Sequence, residues 1–241
     1  MSPDRLRPRW QVGLALVLGV ALTLCFAALG IWQMQRLAWK LDLIQKVEAR
    51  VEADPMGLSD LLALPPGEQD YRHVTATGQF DHEAETLVQA VTELGGGFWV
   101  LTPLQTGAGT VLINRGFVPP ERADPATRAE GQVTGEVSVT GLARQSEPGG
   151  GFLRSNDPAA DRWYSRDVAA IAAAKALGPV APLFIDADAT PQPGGSPVGG
   201  LTVIAFRNTH LIYALTWFAL AAMAAAGVVV LLRQGRRQDR A

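Results

Sequence analysis

Val12–Trp32 reads VGLALVLGVALTLCFAALGIW and Leu211–Leu232 reads LIYALTWFALAAMAAAGVVVLL; neither run contains Asp, Glu, Lys or Arg. At about 1.5 Å of rise per helical residue, roughly twenty residues cross a hydrocarbon layer ~30 Å thick, and both runs meet that length. They predict two membrane spans bracketing one domain. The first run has a signal-like trait, small residues at Ala28-Leu29-Gly30, but it exceeds the ~7–15 residues of a signal core and the pattern beyond it stays helical. Leu24 is bulky where a lipoprotein site before Cys25 would need a small residue.

Beyond Trp32, Leu37, Leu41, Ile44, Val47 and Val51 recur every three or four residues with charges between them. This pattern extends the first helix to about residue 52, where Asp54-Pro55 and Gly57 stop it. Ser59 is placed to cap a short helix through Leu64. From Tyr71 the texture becomes alternating and β-branched, predicting strands near Tyr71–Phe80, Glu85–Val91, Gly97–Leu104, Thr110–Val118 and Val133–Ala143, with antiparallel neighbours. Gly107-Ala108-Gly109 reads as a hairpin turn and Gly78 as a bulge. Ser165–Leu177 predicts a helix capped by Ser165, Leu183–Ala187 a last strand, and Thr190–Gly200 a Pro/Gly linker.

The fold class that follows is a membrane α+β protein: a two-helix transmembrane hairpin bracketing a mainly antiparallel β domain with one or two short helices. Its parts are an amino terminus (1–11), a first span (12–32), the domain (53–200), a lead-in and second span (201–232) and a carboxyl terminus (233–241). Arg233, Arg236, Arg237 and Arg240 follow the second run, whereas Arg207 alone closely precedes it. The bias places both termini in the cytoplasm and the domain in a periplasm. The roughly ten residues before the first span are too few for a mitochondrial presequence, and the Ala, Gly, Pro and Arg richness suits a bacterial inner membrane.

With 48% apolar residues and a net charge of -2 over 241 residues, disorder and nucleic-acid binding are poor fits. The lone Cys25 allows no internal disulfide, so a domain of ~150 residues must rely on its core. Glu147-Pro148-Gly149-Gly150-Gly151 lacks the Gly-Lys-Ser/Thr of a phosphate loop. There is no Gly-x-Ser-x-Gly, Cys-x-x-Cys or His-Glu-x-x-His, and only three histidines are present. Asp186 and Asp188 alternate to one strand face and read as a solvated rim more readily than as a cation site.

The third histidine opens the second span in Asn208–Phe218, NTHLIYALTWF. An ionisable ring at the mouth of a span is a functional candidate unless partnered. On a helix His210, Ala214 and Trp217 share a face, with Tyr213 beside them, and the small Ala214 leaves room for a flat ligand. On the first helix Trp32, Arg36 and Trp39 form a stripe, with Lys40 one turn beyond Arg36. One account is an aromatic belt whose cations meet lipid phosphates. The other is a tetrapyrrole site, with neutral His210 as iron ligand, Trp217 and Tyr213 against the ring, and Arg36 and Lys40 on the propionates.

At Gly30–Lys40 (GIWQMQRLAWK), Ile113–Pro119 (INRGFVP) and Asn208–Phe218 the chain resembles the surfeit-locus (Surf-one/Shy-one) family of cytochrome c oxidase assembly factors. Phe117 stands where the family commonly has Trp, and Thr209 where a second Asn is frequent. The resemblance implies a non-enzymatic factor that binds haem a as cargo, at the positions of His210 and Trp217, and assists its insertion into oxidase subunit I. Haem a synthase is a further partner in that reading, and it ranks the tetrapyrrole account, with Trp32 at the site, above the lipid belt. Arg115 in Asn114-Arg115-Gly116 is read as structural first and as a partner contact second, with Gly116 tolerating backbone angles other residues resist. Two rival functions stay open: a cofactor-free scaffold for subunit I, and a membrane-anchored hydrolase using Asp81, Asp161, Asp186 and Asp188.

Overall fold

The structure, a computed structural model, describes residues 9–238. In chain order the elements are α1 (Arg9–Glu52), β1 (Met56–Gly57), α2 (Leu58–Ala63), α3 (Pro66–Gln69), β2 (His73–Phe80), β3 (Thr86–Thr92), β4 (Gly95–Thr106), β5 (Gly109–Val118), β6 (Glu136–Gln145), β7 (Gly150–Gly151), β8 (Arg154–Ser155), α4 (Val168–Ala174), β9 (Val180–Ala187) and α5 (His210–Gln238), joined in places by short 3-10 turns. They form two compact units: a helical one within residues 9–46 and 205–238, and a β-rich one, Val47–Ile204. Arg240, used in the charge count, lies outside the described residues, as do the outer parts of the two termini.

In the helical unit, α1 and α5 are both long and apolar enough to cross a membrane. The 44 residues of α1 measure about 66 Å, over twice the ~30 Å hydrocarbon layer. Small residues set the contact between the helices. A Cβ at Gly30 would come within 2.6 Å of the Phe218 ring, and one at Gly19 within 2.6 Å of the Val228 side chain. Ala214 and Ala221 are buried on the same seam. Pairing residue 19 with 228 and 30 with 218 makes the helices antiparallel, packed through small side chains as lipid-soluble helices are. Leu14, Val17, Leu22, Leu24, Leu211, Ile212 and Leu215 point outward. The Thr23 and Thr216 hydroxyls donate to their own helices, at the carbonyls of Gly19 and Ile212 (both 2.8 Å), so neither hydroxyl is left unpaired on these apolar helices.

In the β-rich unit the strands run in the order β1-β2-β6-β9-β5-β4-β3, and β2 also pairs with β4. That extra pairing closes β2, β6, β9, β5 and β4 into a ring. Gly78 sits where β2 is shared by β6 and β4, and a Cβ there would strike the Gln105 carbonyl. Gly78 thus permits close strand approach at the closure point rather than a bulge. Neighbours are antiparallel except the edge strand β1 on β2 and, inside the ring, β9 on β5. β9 enters between β5 and β6 because the long stretch from β6 through the β7–β8 hairpin and α4 supplies the crossover that a parallel pair requires.

Both faces of the sheet are packed, as alternation along β5 and β9 dictates. Val111, Ile113, Leu183 and Ile185 turn inward to join Leu61, Val74, Ala76 and Leu104. Leu112 and Phe184 turn outward against Val168 and Ile171 of α4, with Trp163, Val88 and Leu101.

Local starts differ from the sequence expectation where two residues compete for one role. α4 is capped by Asp167, whose carboxylate accepts from the Ala170 amide (3.1 Å), while the Ser165 hydroxyl donates to the Glu147 carbonyl (2.6 Å). α2 begins after Gly57 with no side-chain cap, so Ser59 lies inside it. β6 starts at Glu136, after Gly135 turns at φ 85°. The 190–200 stretch is no free linker: Val198 exchanges two backbone hydrogen bonds with Phe117 (2.9 and 3.0 Å). Gly116 makes this docking possible, since at φ 128° a Cβ would run into the Val198 carbonyl.

Candidate functional site

The helical unit holds two buried or half-buried polar side chains that answer each other. Gln33, 9% exposed, lies on the face of α1 that meets α5, and Nδ1–H of His210 donates to its Oε1 at 2.8 Å. His210 is the first residue of α5, and Asn208 Oδ1 accepts from its backbone amide (3.4 Å), a weak cap for the opening turn. One turn on, Ala214 is 1% exposed, and at the next Trp217 stacks on Phe26 with ring centroids 5.7 Å apart. The gap expected beside Ala214 is therefore filled by α1; the small side chain buys close helix approach rather than ligand space.

The structure divides the predicted residues between two stripes. Phe26, Gly30, Gln33 and Lys40 share the side of α1 that faces α5, where His210, Ala214 and Trp217 meet it. Lys40 Nζ lies 5.2 Å from the centre of the Phe206 ring, on the segment that leads into α5. Trp32, Arg36 and Trp39 share a different face: all three are exposed, and the Arg36 guanidinium covers the Trp39 ring at 4.6 Å. Tyr213, 51% exposed, stands beside the His210 face without joining the seam. His210, Trp217 and Lys40 are thus brought to one side, while Trp32 and Arg36 are not.

Gln33 is the residue the sequence reading missed, although an uncharged amide directly after an apolar run, on the same face as Phe26 and Lys40, is a visible signal. Its consequence is tautomeric. With Nδ1–H engaged by a carbonyl oxygen, the neutral form of the ring carries its lone pair on Nε2, for which no hydrogen-bond partner is present among the described residues. This is the arrangement in which histidines ligate metals, the second nitrogen being held by an outer acceptor. An oriented imidazole is a donor that haem iron can take, and of the other predicted residues Trp217 and Lys40 share its side while Trp32 and Arg36 do not.

Three of the four acids considered for catalysis are engaged by partners within the fold. Asp186 is 3% exposed, not a solvated rim: it accepts from Asn114 Nδ2 (2.7 Å) and Arg166 (3.0 Å) and pairs with Arg144 (3.4 Å). Asp161 accepts from Trp163 Nε1 (2.8 Å) and Lys175 (2.9 Å), and Asp188 from the Thr190 amide (2.9 Å). Asp81 precedes a 3-10 turn, with no side-chain cap bond. Arg115, 1% exposed, donates to the Gly131 carbonyl, lies 3.8 Å from Glu85 and covers the Phe80 ring at 4.9 Å. Burial pulls its pKa down to about 10, against the raising effect of Glu85. Arg115 therefore acts as an internal pin of the domain.

Comparison with known proteins bears on the whole arrangement. The SURF1 family model matches residues 20–222, a stretch that takes in Gln33, Arg115, His210 and Trp217. Surfeit locus protein 1 of Rattus norvegicus is 40% identical over 212 residues, covering 80% of this chain and 68% of its own length. Surfeit locus protein 1 of Homo sapiens is 40% identical over 213 residues (80% and 69%), and the SURF1-like protein of Monosiga brevicollis 39% identical over 227 residues (86% and 83%). The chain belongs to the SURF1 family.

Proposed function

We propose that this protein is a membrane factor of cytochrome c oxidase assembly that binds haem a and assists its insertion into subunit I. Family membership supports the assembly role. The hydrogen bond from His210 Nδ1 to Gln33 Oε1 is the observation that supports the haem reading, because it leaves the other ring nitrogen available as a ligand.

Haem a, when bound, would supply an iron able to take a nitrogen ligand and propionates able to pair with cations. His210 offers Nε2 as the ligand, and Gln33 keeps the ring in orientation and tautomer. Trp217, held by Phe26, and Tyr213 give aromatic surface, and Lys40 and Arg36 supply positive charge. The chain itself catalyses no reaction in this reading; it binds, orients and releases its cargo. The two apolar helices span a bacterial inner membrane with both termini cytoplasmic and the β-rich domain periplasmic, where it docks on subunit I or on haem a synthase among membrane lipids.

Purification of the full chain from cells that make haem a, followed by an absorption spectrum, tests the proposal. Wild type is expected to carry haem and His210→Ala to lose it or change its spectrum. Colourless wild type would favour the second reading, a cofactor-free scaffold for subunit I, which the filled seam at Ala214 and the Phe26–Trp217 stack also suit. Full haem with an unchanged spectrum in His210→Ala would refute the ligand assignment.

A further inference from the structure

β7 and β8 pair through Gly150 with Ser155 and Gly151 with Arg154, so Phe152 and Leu153 are the whole turn of a tight hairpin. Two-residue turns favour Asn and Gly. Here two large apolar side chains occupy the turn, 92% and 89% exposed, and Leu153 adopts φ 57°, a left-handed conformation that disfavours such a residue. Packing within the fold gives no reason for either choice.

The base of the hairpin is firmly held. Arg154 Nη1 donates to Gln89 Oε1 (2.7 Å) and its guanidinium covers the Tyr164 ring at 5.4 Å. Asn156 accepts from the Tyr164 amide (2.8 Å), and the Gly149 amide donates to Asp167 (3.0 Å). The tip is presented by a fixed support, so burying it would order little else.

Apolar exposure continues away from the tip. Gln89, which receives Arg154, shares the solvent face of β3 with Val91, 87% exposed. Val91, Trp99, Leu201 and Val203 line a cavity of about 380 Å³, and Val203, 84% exposed, stands a few residues before α5. Exposed apolar side chains thus recur at Val91 and Val203, separated by the charged Glu93, Arg144, Arg166 and Asp186 that also line the cavity, and only the hairpin tip is apolar throughout.

We propose that the Phe152–Leu153 tip is a membrane anchor of the β-rich domain, inserting into the acyl region of the bilayer that α1 and α5 cross; this rests on the membrane-spanning reading of those helices. Two side chains fall far short of the ~1,200 Å² that a stable protein interface buries. A lipid surface demands no such area from a domain already tethered to it. Linkage through α1 and α5 gives the tip an effective concentration near lipid on the order of millimolar, so an insertion too weak for a free domain becomes the resting state.

The test uses the full chain reconstituted in phosphatidylcholine–phosphatidylglycerol vesicles containing lipids with a quencher on the acyl chain. An environment-sensitive fluorophore is placed on native Cys25 in one sample and, in a Cys25→Ser background, on Phe152→Cys or on Glu121→Cys in two others. Several-fold quenching is expected at 25 and 152 and none at 121. Quenching at 25 without quenching at 152 would overturn the anchor and leave the spans standing; quenching at neither would overturn both. Protection of position 152 only after addition of purified cytochrome c oxidase would assign the tip to a protein partner and overturn the lipid assignment. A label-free measurement guards against insertion driven by the dye: trypsin should cut after Arg154 several-fold more slowly in reconstituted wild type than in the Phe152→Ser, Leu153→Ser variant, and equal rates would refute the proposal.

Discussion

The β-rich domain and the helix pair treat buried polarity in opposite ways. In the domain, two buried carboxylates are each shared among several partners: Glu85 between Arg128 and Arg115, and Asp186 among Asn114, Arg144 and Arg166. In the helix pair no carboxylate is involved: one imidazole meets one amide, while Arg36 and Lys40 lie against aromatic rings. A carboxylate gripped from several sides has no capacity left for a ligand. The His210–Gln33 bond uses one ring nitrogen and leaves the other. The two buried carboxylates of the domain are thus fully engaged, whereas the imidazole of the helix pair keeps one ring nitrogen without a partner among the described residues.

The largest effect should come from unsaturating the domain. Arg128 meets both oxygens of Glu85, with Nη1 on Oε2 at 3.0 Å and Nη2 on Oε1, and both side chains are almost fully buried. Arg128→Met would leave Glu85 with Arg115 alone at 3.8 Å, and removing one partner of a buried pair costs about 3–5 kcal/mol. Arg115→Met should cost distinctly less, because it leaves the bidentate pair intact and removes a guanidinium whose Nε and Nη1 have no hydrogen-bond partner among the described residues. Urea unfolding followed by tryptophan fluorescence measures both variants; equal losses would break the contrast between a saturated pair and its less engaged neighbour.

Gln33→Leu should act on the other unit and leave the domain alone. Loss of an outer acceptor behind a ligating histidine typically weakens binding about 10–100-fold. Haem retention on dilution is expected to fall by that order while the domain's unfolding midpoint stays at the wild-type value. Gln33→Glu, which keeps an acceptor for Nδ1–H, should retain haem. Wild-type retention in Gln33→Leu would mean the bond only joins helices, and the difference drawn between the units would lose its functional content.

Much of this contrast was legible before the coordinates, and the remainder was hidden for identifiable reasons. Length and the absence of charge determine the apolar helices, so Val12–Trp32 and Leu211–Leu232 read directly. Periodicity also groups Trp32, Arg36 and Trp39 correctly on one face, yet it cannot say which face meets the other helix, and that stripe lies outward. Gln33 escaped because its meaning depends on a residue at the far end of the chain. Strand positions followed from alternation, but the entry of β9 between β5 and β6 is a long-range choice that alternation leaves open. Asp186 read as a solvated rim because burial of a strand-end acid depends on Asn114, Arg144 and Arg166, each distant in sequence.

The smallest effect is an acid dependence confined to one unit. Burial favours the neutral form of Glu147, but the hydrogen bonds and charge of Arg166 outweigh it and hold the carboxyl below its ordinary value of 4.5. Near that value the unfolded chain binds more protons at this site than the folded one, so unfolding becomes easier as pH drops. The stabilisation is complete above the unfolded pKa and is lost as pH falls through the lower, folded one. Because the Glu147 side chain is 40% exposed, solvent screening keeps the effect small. Denaturant midpoints of wild type should decline below about pH 4.5 more steeply than those of Glu147→Gln, and parallel curves would remove Arg166–Glu147 from the stabilising set. The stretches 9–40 and 205–238 contain no Asp or Glu, and Asp42 further along α1 pairs with Lys46 of its own helix, so contact between the two helices relies on no carboxylate across that range. Energy transfer between labels on α1 and α5 should therefore stay level while the domain loosens, and a decline in step with the domain would show that the helix pair depends on the saturated charges after all.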